Sequence, residues 1–251
     1  MSNATDTNWF SSFFSGAALD LWRRAIPVEQ TEEEVQFLGE VLGLEETSRV
    51  LDVPCGNGRL CIPLGLCIGS VVGVDTSDEF IEEANRSALA HQSNCQFLKA
   101  DMRKLDFKAE FDGAYCMGNS FGYFDKEGTL RFLKAVAASL KNDARFVIDS
   151  NMIAESFLVN GAGKEWVQVD GIYMLVENRY NCHESLVETT YTFLSDGKEE
   201  KREAIHWIYT AGELCKMLKQ SGFEIVELLE STDGDAYSLG SERLLLVAQK
   251  S

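Results

Sequence analysis

The sequence has few basic residues, few prolines and no long apolar run. Its 23 lysines and arginines stand against 40 aspartates and glutamates, which gives a formal net charge of −17. A surface of this sign repels the phosphate backbone of nucleic acids and the headgroups of anionic bilayers. With only three prolines, the chain also offers no proline-rich linker. We therefore expect no nucleic-acid partner and no membrane partner.

The cysteines and histidines lack the spacings of disulfide frameworks and metal sites. Seven cysteines and three histidines occur, and no two cysteines form a C-x-x-C pair. An odd number of cysteines in a chain of this size favours free thiols in a reducing compartment. The N-terminal residues lack the basic flank and apolar run of a signal peptide. The sequence therefore predicts a soluble cytoplasmic protein without a resident metal.

The composition is that of a globular protein with a large core. Of the 251 residues, 45% are hydrophobic and 10% are aromatic. A chain of this length buries roughly 70 to 75% of the surface that it exposes when unfolded. It is long enough for one large α/β domain, or for one domain that carries an insertion.

Strand-like and helix-like segments alternate from Arg49 to about Lys141. Short apolar runs such as RVLDV, VVGVD and FDGAYCM are separated by amphipathic segments, and ARFVIDS closes the series. The predicted helices cover Glu32 to Leu44, a stretch from about Arg59, Asp78 to His91, and Lys126 to Leu140. This alternation predicts βαβ units and a parallel sheet, whose ligands bind beyond the carboxyl ends of the strands.

The pattern changes between Glu165 and Thr210. Four strand-like runs follow one another there without room for helices, and the turn signals between them are Asp170-Gly171, Asn181 to Glu184 and Asp196-Gly197. These runs predict an antiparallel sheet inserted into the α/β domain. A last helix, Ala211 to Gln220, and two closing strands predict an antiparallel last strand on a mostly parallel sheet.

A glycine-rich turn follows the first predicted strand in RVLDVPCGNGRL, Arg49 to Leu60. Gly56 and Gly58 allow the backbone to approach a nucleotide or nucleoside closely. The third glycine of a dinucleotide fingerprint would fall at Cys61, and the carboxylate of Asp52 would repel a pyrophosphate. The turn therefore favours a ligand with an ammonium group, such as S-adenosylmethionine, over NAD.

Two more aspartates end the next two predicted strands. Asp75 ends the second strand, where a carboxylate can accept hydrogen bonds from both hydroxyls of a ribose, as in dinucleotide folds. Asp101 ends the third strand and precedes Met102, beside the expected place of an adenine. Three aspartates at the ends of successive strands predict one nucleoside-binding site.

With these motifs the chain resembles class I S-adenosylmethionine-dependent methyltransferases. The resemblance covers about residues 45 to 250 and is carried by VLDVPCGNGR (Val50 to Arg59), GVDTS (Gly73 to Ser77), ADMRKL (Ala100 to Leu105) and the closing LLLVAQK. It implies an α/β fold with a seven-stranded Rossmann-like sheet, mostly parallel with an antiparallel last strand, that carries the inserted antiparallel sheet. The implied organisation is an N-terminal helical lid at 1–44, an α/β domain at 45–160 and 210–251, and the insertion at 161–209.

The resemblance also implies which residues bind S-adenosylmethionine. Asp52 and the glycine turn would face its methionine end, Asp75 would face its ribose, and Asp101 would face its adenine. Trp22, in an aromatic-rich N-terminal stretch, is the expected lid residue, and ordinary core packing is the alternative. The full expected set is Trp22, Asp52, Cys55, Gly56, Asn57, Gly58, Arg59, Asp75, Thr76, Asp101, Met102 and Met117.

The segment after the fourth strand, AYCMGNSFGYF, is similar to a run in glycine N-methyltransferase and related small-molecule N-methyltransferases. By that likeness Asn119 would orient the amine of the methyl acceptor. Ser150-Asn151 stands where the glycine enzyme has an arginine for the substrate carboxylate, which argues against glycine as the acceptor. The expected acceptor residues are Asn119, Tyr123, Asn151 and His206, with a structural histidine as the alternative for His206.

The predicted function is methyl transfer from S-adenosylmethionine to a small-molecule acceptor, at nitrogen with oxygen as the alternative, by an in-line displacement that leaves S-adenosylhomocysteine. A cofactor-binding protein without turnover and an NAD-dependent oxidoreductase stay open as alternatives. An inserted sheet with an exposed edge favours a homodimer, although Lys198, Lys201 and Arg202 are charges of the kind that block such an edge.

Overall fold

The computed structural model describes residues 8–161 and 163–251. Residues 1–7 of the predicted lid segment and Ala162 of the predicted insertion lie outside the described residues. Three helices come first, α1 (Phe10–Phe13), α2 (Gly16–Arg24) and α3 (Val28–Leu42). Helix α3 starts directly after Pro27, earlier than the predicted Glu32, and ends at Leu42, before Gly43, whose φ of 64° is left-handed.

The described residues form strands in two sheets. In chain order they are β1 (Arg49–Asp52), β2 (Ser70–Asp75), β3 (Cys95–Lys99), β4 (Phe111–Cys116), β5 (Leu140–Ser150), β6 (Lys164–Val169), β7 (Ile172–Asn181), β8 (Leu186–Ser195), β9 (Lys198–Trp207), β10 (Phe223–Leu229) and β11 (Leu244–Lys250). The first five strands and the last two belong to one sheet, and the other four form the second sheet.

The seven-stranded sheet has the order β10-β11-β5-β4-β1-β2-β3. Within it β11 pairs antiparallel with both β5 and β10, and the pairs among the first five strands are parallel. The predicted mostly parallel sheet with an antiparallel last strand is therefore confirmed. The strand order reverses between β1 and β4, which is the kind of position where such sheets bind ligands.

The remaining helices are α4 (Cys61–Leu64), α5 (Asp78–His91), α6 (Lys126–Ser139), α7 (Ala154–Asn160) and α8 (Ala211–Gln220). Helices α5 and α8 have the predicted bounds because their N-caps are local. Ser77 accepts a hydrogen bond from the backbone N–H of Phe80, and Thr210 forms a capping box with Glu213.

The helix predicted to begin at about Arg59 is only the single turn α4. The backbone N–H of Gly65 donates to the carbonyl of Cys61, and two further tight turns lead the chain directly into β2. Residues of α4 pack among buried apolar side chains beside the sheet. Their apolar character reflects this burial rather than a longer helix.

The four-stranded sheet is antiparallel throughout, in the order β6-β7-β8-β9. This confirms the predicted inserted antiparallel sheet. One of its faces carries the buried Phe193 and His206 and packs against the N-terminal helices. No helix within the described ranges is long and apolar enough to cross a membrane.

Candidate active site

An open cavity lies beyond the carboxyl ends of β1, β2 and β3. Asp52 at the end of β1, Asp75 at the end of β2 and Asp101 just after β3 all line it. Parallel strands bring their carboxyl ends to one edge of the sheet, so three carboxylates that are distant in sequence share one wall. The segment that follows β4 supplies further lining, including Met117 and Tyr123.

The glycine turn is fixed by the carboxylate of Asp75. One oxygen of Asp75 accepts a hydrogen bond from the backbone N–H of Gly56 at 2.9 Å, and the other accepts from Ser77 at 2.9 Å. Gly56 and Gly58 have φ values of 53° and 81°, in the left-handed region that favours glycine. A Cβ on Gly58 would lie 2.9 Å from the ring of Phe97. The turn therefore needs glycine at Gly58 for both its backbone conformation and its packing.

Asp52 is a buried carboxyl group with neutral hydrogen-bond donors. Its side chain accepts from the thiol of Cys61 at 3.0 Å and from the hydroxyl of Tyr115. Burial raises the pKa of Asp52 to about 7, and the two donors and the charge of Arg59 oppose that rise. A carboxylate in this position gains a counter-charge from a ligand that carries a cation.

The guanidinium group of Arg59 lines the same cavity but is already paired. It donates to Thr31 at 3.0 Å and to Glu34 at 2.7 Å. Glu34 is 2% exposed and also lies 3.4 Å from Arg243. Arg59 is therefore held by α3, and it is not a contact partner of Asp52.

Asp101 occupies the opposite end of the wall. Burial alone would raise its pKa, but hydrogen bonds from Arg103 and the positive charge of Arg103 lower it. The guanidinium of Arg103 also lies 4.4 Å from the ring centre of Phe124, a cation–π contact. Asp101 therefore stays ionised and keeps a fixed orientation at the cavity.

Helices α1 and α2 cover the cavity. Phe10, Phe14 and Trp22 line it, and the rings of Phe14 and Trp22 meet edge to face with centroids 5.9 Å apart. The indole N–H of Trp9 donates to the carbonyl of Ile205 in β9 at 2.8 Å. The N-terminal segment thus bridges the cavity and the inserted sheet.

Comparisons with known proteins identify the family. Residues 50–143 match a methyltransferase domain family. A protein of Geobacillus sp. (strain WCH70) that is named as a methyltransferase is 25% identical over 96% of this chain and 97% of its own length. A crystal structure of an S-adenosylmethionine-dependent methyltransferase from Clostridium acetobutylicum ATCC 824 superposes with a TM-score of 0.79 at 22% identity, over 97% of this chain and 98% of that one. Residues 50–143 form a methyltransferase domain, and the chain has the fold of S-adenosylmethionine-dependent methyltransferases.

A further solved structure is similar to this methyltransferase and contains bound S-adenosylmethionine. It is an amino pentose methyltransferase from Micromonospora echinaspora, with a TM-score of 0.71 at 15% identity, over 94% of this chain and 98% of that one. S-adenosylmethionine is therefore the cofactor with which the geometry of the cavity is compared.

The cavity of this methyltransferase fits that cofactor. Asp52 offers a buried carboxylate without a cation in contact, which suits the ammonium group of the methionine end. The two arginines of the wall, Arg23 and Arg59, are both in ion pairs, so the described wall has no unpaired cation for a pyrophosphate. The described residues contain no group of three or more His, Cys, Asp or Glu side chains placed to hold a metal ion.

Most of the predicted cofactor residues line this cavity. They are Trp22, Asp52, Cys55, Gly56, Asn57, Arg59, Asp75, Thr76, Asp101, Met102 and Met117. Gly58 is the exception, because its Cα faces the ring of Phe97 and the methyl group of Ala84 rather than the cavity. Its contribution is to the shape of the turn.

Of the four predicted acceptor residues, the structure brings only Tyr123 to the cavity wall. The side-chain oxygen of Asn119 accepts instead from the backbone N–H of Asn151 at 2.9 Å and from Ser150 at 3.3 Å. Asn151 is itself exposed. His206 is buried behind Tyr123 and Trp9, with ring centroids 5.4 Å and 5.2 Å away.

His206 has an unusual environment for a histidine. Burial lowers its pKa to about 4, so the imidazole is neutral near pH 7. Its Nδ1 atom has no hydrogen-bond partner within the part of the chain that the structure describes. The ring therefore offers one unused polar atom at the far side of Tyr123.

Sequence reasoning missed several wall residues, notably Arg23, Phe80 and Ser120. Arg23 follows Trp22, and its Nε donates to Glu83 on α5 at 2.7 Å. Phe80 lies in the first turn of α5, with its ring centre 5.4 Å from that of Phe14. The sequence held a signal for both residues, because Arg23 directly follows Trp22 and Phe80 comes shortly after Asp75.

Proposed function

We propose that this methyltransferase transfers a methyl group to a nitrogen atom of a small-molecule acceptor. One observation carries the proposal. The cavity that holds the three aspartates continues without interruption to the segment after β4, where Met117, Gly118, Ser120 and Tyr123 line it. When bound, S-adenosylmethionine supplies an activated methyl group to a nucleophile and becomes S-adenosylhomocysteine.

The aspartates bind the cofactor, and the lid covers it. Asp52 binds the ammonium group, Asp75 accepts the ribose hydroxyls beside the backbone donors that it already holds, and Asp101 and Met102 border the adenine. The aromatic rings of α1 and α2 exclude water from the reaction. Hydrogen bonds that a carboxylate accepts, as at these aspartates, are about twice as strong as hydrogen bonds between neutral groups.

The acceptor binds against the loop after β4. Gly118 and Asn119 have φ values of 73° and 60°, and the backbone N–H of Gly118 donates to the buried carboxylate of Asp149 at 3.0 Å. Tyr123 presents its hydroxyl beside Ser120, which forms a hydrogen bond with it. In this proposal Tyr123 contacts the acceptor, Asn119 and Asn151 shape the loop, and His206 packs behind Tyr123.

The charges of the wall favour an acceptor without a carboxylate near the reacting nitrogen. Arg23 and Arg59 are the basic residues of the described wall, and both form ion pairs with glutamates. The Micromonospora echinaspora protein that shares the fold is an amino pentose methyltransferase. The net charge of −17 further disfavours nucleic acid.

The same proposal assigns the N-terminal segment 1–44 as a lid, residues 45–160 and 210–251 as the catalytic domain, and 161–209 as the insertion. It places the enzyme in the cytoplasm. The free cysteines of the structure, with Cys55 at the cavity wall, support a reducing compartment.

Calorimetric titration with S-adenosylhomocysteine tests the cofactor half of the proposal. We expect micromolar binding, with no binding of NAD or ATP, and we expect Asp52→Ala to abolish it. Asp112→Asn is a matched control, because Asp112 pairs with Lys141 at the other end of the sheet and lies outside the cavity wall. Preferred binding of NAD would contradict the proposal.

A transfer assay with radiolabelled S-adenosylmethionine tests the acceptor half. Amines without a carboxylate are compared with glycine, and we expect label only in the former. Tyr123→Phe should lower kcat/KM for the acceptor while the affinity for S-adenosylhomocysteine stays unchanged. Tight cofactor binding without transfer to any amine would favour the alternative of a binding protein without turnover.

A further inference from the structure

One face of the inserted sheet packs against the N-terminal helices, and the other is open except at the end where Leu186 and Ile205 are buried. Side chains alternate along each strand, and the register places Trp166, Tyr173, Leu175 and Leu194 together on the face opposite the lid. These four side chains are 66%, 40%, 40% and 37% exposed. The rings of Trp166 and Tyr173 are stacked with centroids 6.3 Å apart. We call this surface the outer face.

The outer face is apolar at its centre and charged at its rim. Lys164 pairs with Glu177, Arg179 with Glu188, and Lys201 with Glu199. The register adds Glu203 to the same side. Three basic residues therefore stand against four acidic ones, so the outer face is close to neutral on a chain whose net charge is −17.

The outer face is large enough for a small interface between proteins. Its open part extends about 27 Å along the longer strands, and four strands span about 19 Å, so the plane covers about 500 Å² before side-chain relief is counted. A stable interface buries about 800 Å² on each partner. An exposed apolar surface with a polar rim is typical of such contacts.

We propose that the outer face binds the outer face of a second copy of this chain. Two copies that each carry −17 repel wherever their acidic surfaces meet, and a nearly neutral face brings them together without adding like charge at the contact. A two-fold axis through the outer face pairs each apolar centre with its equal and each mixed rim with another mixed rim. A strongly basic or a strongly acidic partner would find no complementary charge there.

Sedimentation velocity over a wide range of protein concentration tests this proposal. The full chain is compared with Trp166→Glu and Leu194→Glu, which place a charge in the centre of the outer face. Leu89→Glu is the matched control, because Leu89 is 82% exposed on α5 and the substitution adds the same charge elsewhere. Circular dichroism verifies that each variant is folded.

We expect the full chain to form a dimer. The two outer-face variants should raise its dissociation constant by about a hundredfold or more, because a two-fold axis brings both new charges to the same contact. Leu89→Glu should leave the constant unchanged. Should Trp166→Glu fail to fold, Trp166→Ser weakens the same contact without a charge.

Two results would overturn the proposal. A chain that stays monomeric at every concentration leaves the outer face to a different partner. A dimer that survives both Trp166→Glu and Leu194→Glu uses another surface, such as the free edge of β6.

Discussion

At the scale of single residues, Asp52 has the environment that depends most on the cofactor. It is 3% exposed, and the groups that face it are the thiols of Cys55 and Cys61, the hydroxyl of Tyr115, the cation of Arg59 and the carboxylate of Asp75. Arg59 is paired with Glu34, so no cation touches Asp52 among the described residues. The ammonium group of the cofactor supplies the missing counter-charge to Asp52.

The affinity for S-adenosylhomocysteine should therefore depend on pH. Because the pKa of Asp52 is about 7, the carboxylate ionises as the pH rises through 7, and only the ionised form attracts the ammonium group. We expect affinity to be about tenfold weaker at pH 6 than its plateau above about pH 8, since one pH unit below the pKa corresponds to about 1.4 kcal/mol. Calorimetric titration at several pH values measures this.

Two controls isolate Asp52 in that experiment. The nucleoside 5′-methylthioadenosine lacks the amino-acid portion and should bind equally well at pH 6 and pH 8. Asp52→Asn should bind S-adenosylhomocysteine weakly and without the pH dependence. Equal affinity of the parent chain at pH 6 and pH 8 would show that Asp52 does not meet the ammonium group.

The raised pKa of Asp52 also affects folding of the ligand-free protein. Between about pH 4 and pH 7, Asp52 is protonated in the native state and ionised in the unfolded chain. The contribution of Asp52 to the free energy of unfolding therefore falls as the pH rises through that window. The buried carboxyl group thus costs stability at neutral pH in exchange for cofactor binding.

At the scale of elements, Glu83 on α5 links the lid to the glycine turn. Its carboxylate accepts from Arg23 of α2 at 2.7 Å and from the side-chain amide of Asn57 at 3.0 Å. Both donors line the cavity. A single side chain therefore ties the closed position of α2 to the turn beneath it.

Replacing Glu83 should loosen the lid over the cofactor. We expect Glu83→Gln to weaken S-adenosylhomocysteine by about fivefold, since a partly exposed ion pair contributes up to about 1 kcal/mol. Asp20→Asn is the matched control, because Asp20 also pairs with Arg23 but lies 48% exposed and does not touch the turn. Equal losses in the two variants, measured by titration, would mean that Glu83 acts only through the charge of Arg23.

At the scale of the whole molecule, charge opposes the proposed dimer and apolar burial favours it. Two chains of −17 repel at long range, whereas the outer face is nearly neutral. The contact also lies on the sheet whose other face holds the lid, with the indole of Trp22 and the ring of Tyr191 6.1 Å apart. Dimer formation would therefore stabilise the inserted sheet, against which the lid packs.

Salt should strengthen the proposed dimer. Between about 0.01 M and about 0.1 M salt the Debye length falls from about 30 Å to about 10 Å, which screens the repulsion between the two acidic surfaces. We expect the dissociation constant to fall severalfold over that range in sedimentation experiments, and sucrose of equal osmolality should have no such effect. A dimer weakened by salt would indicate that ion pairs across the rim dominate the contact.

The sequence alone determined those features that depend on neighbours in the chain. Helices α5 and α8 have their predicted bounds because Ser77 and Thr210 cap them within a few residues. Asp52, Asp75 and Asp101 were assigned to one site because each ends a strand, and parallel strands end at one edge. The inserted sheet followed from short turns between alternating strands.

Only the tertiary structure decided what depends on distant contacts. The apolar run after Arg59 became the single turn α4, and the side chain of Asn119 turned to Asn151 instead of the cavity. Glu83 met Arg23, and the pKa of Asp52 rose because the fold buried it. Burial and orientation arise from segments that meet only on folding, and no spacing in the sequence records which side chains they bring together.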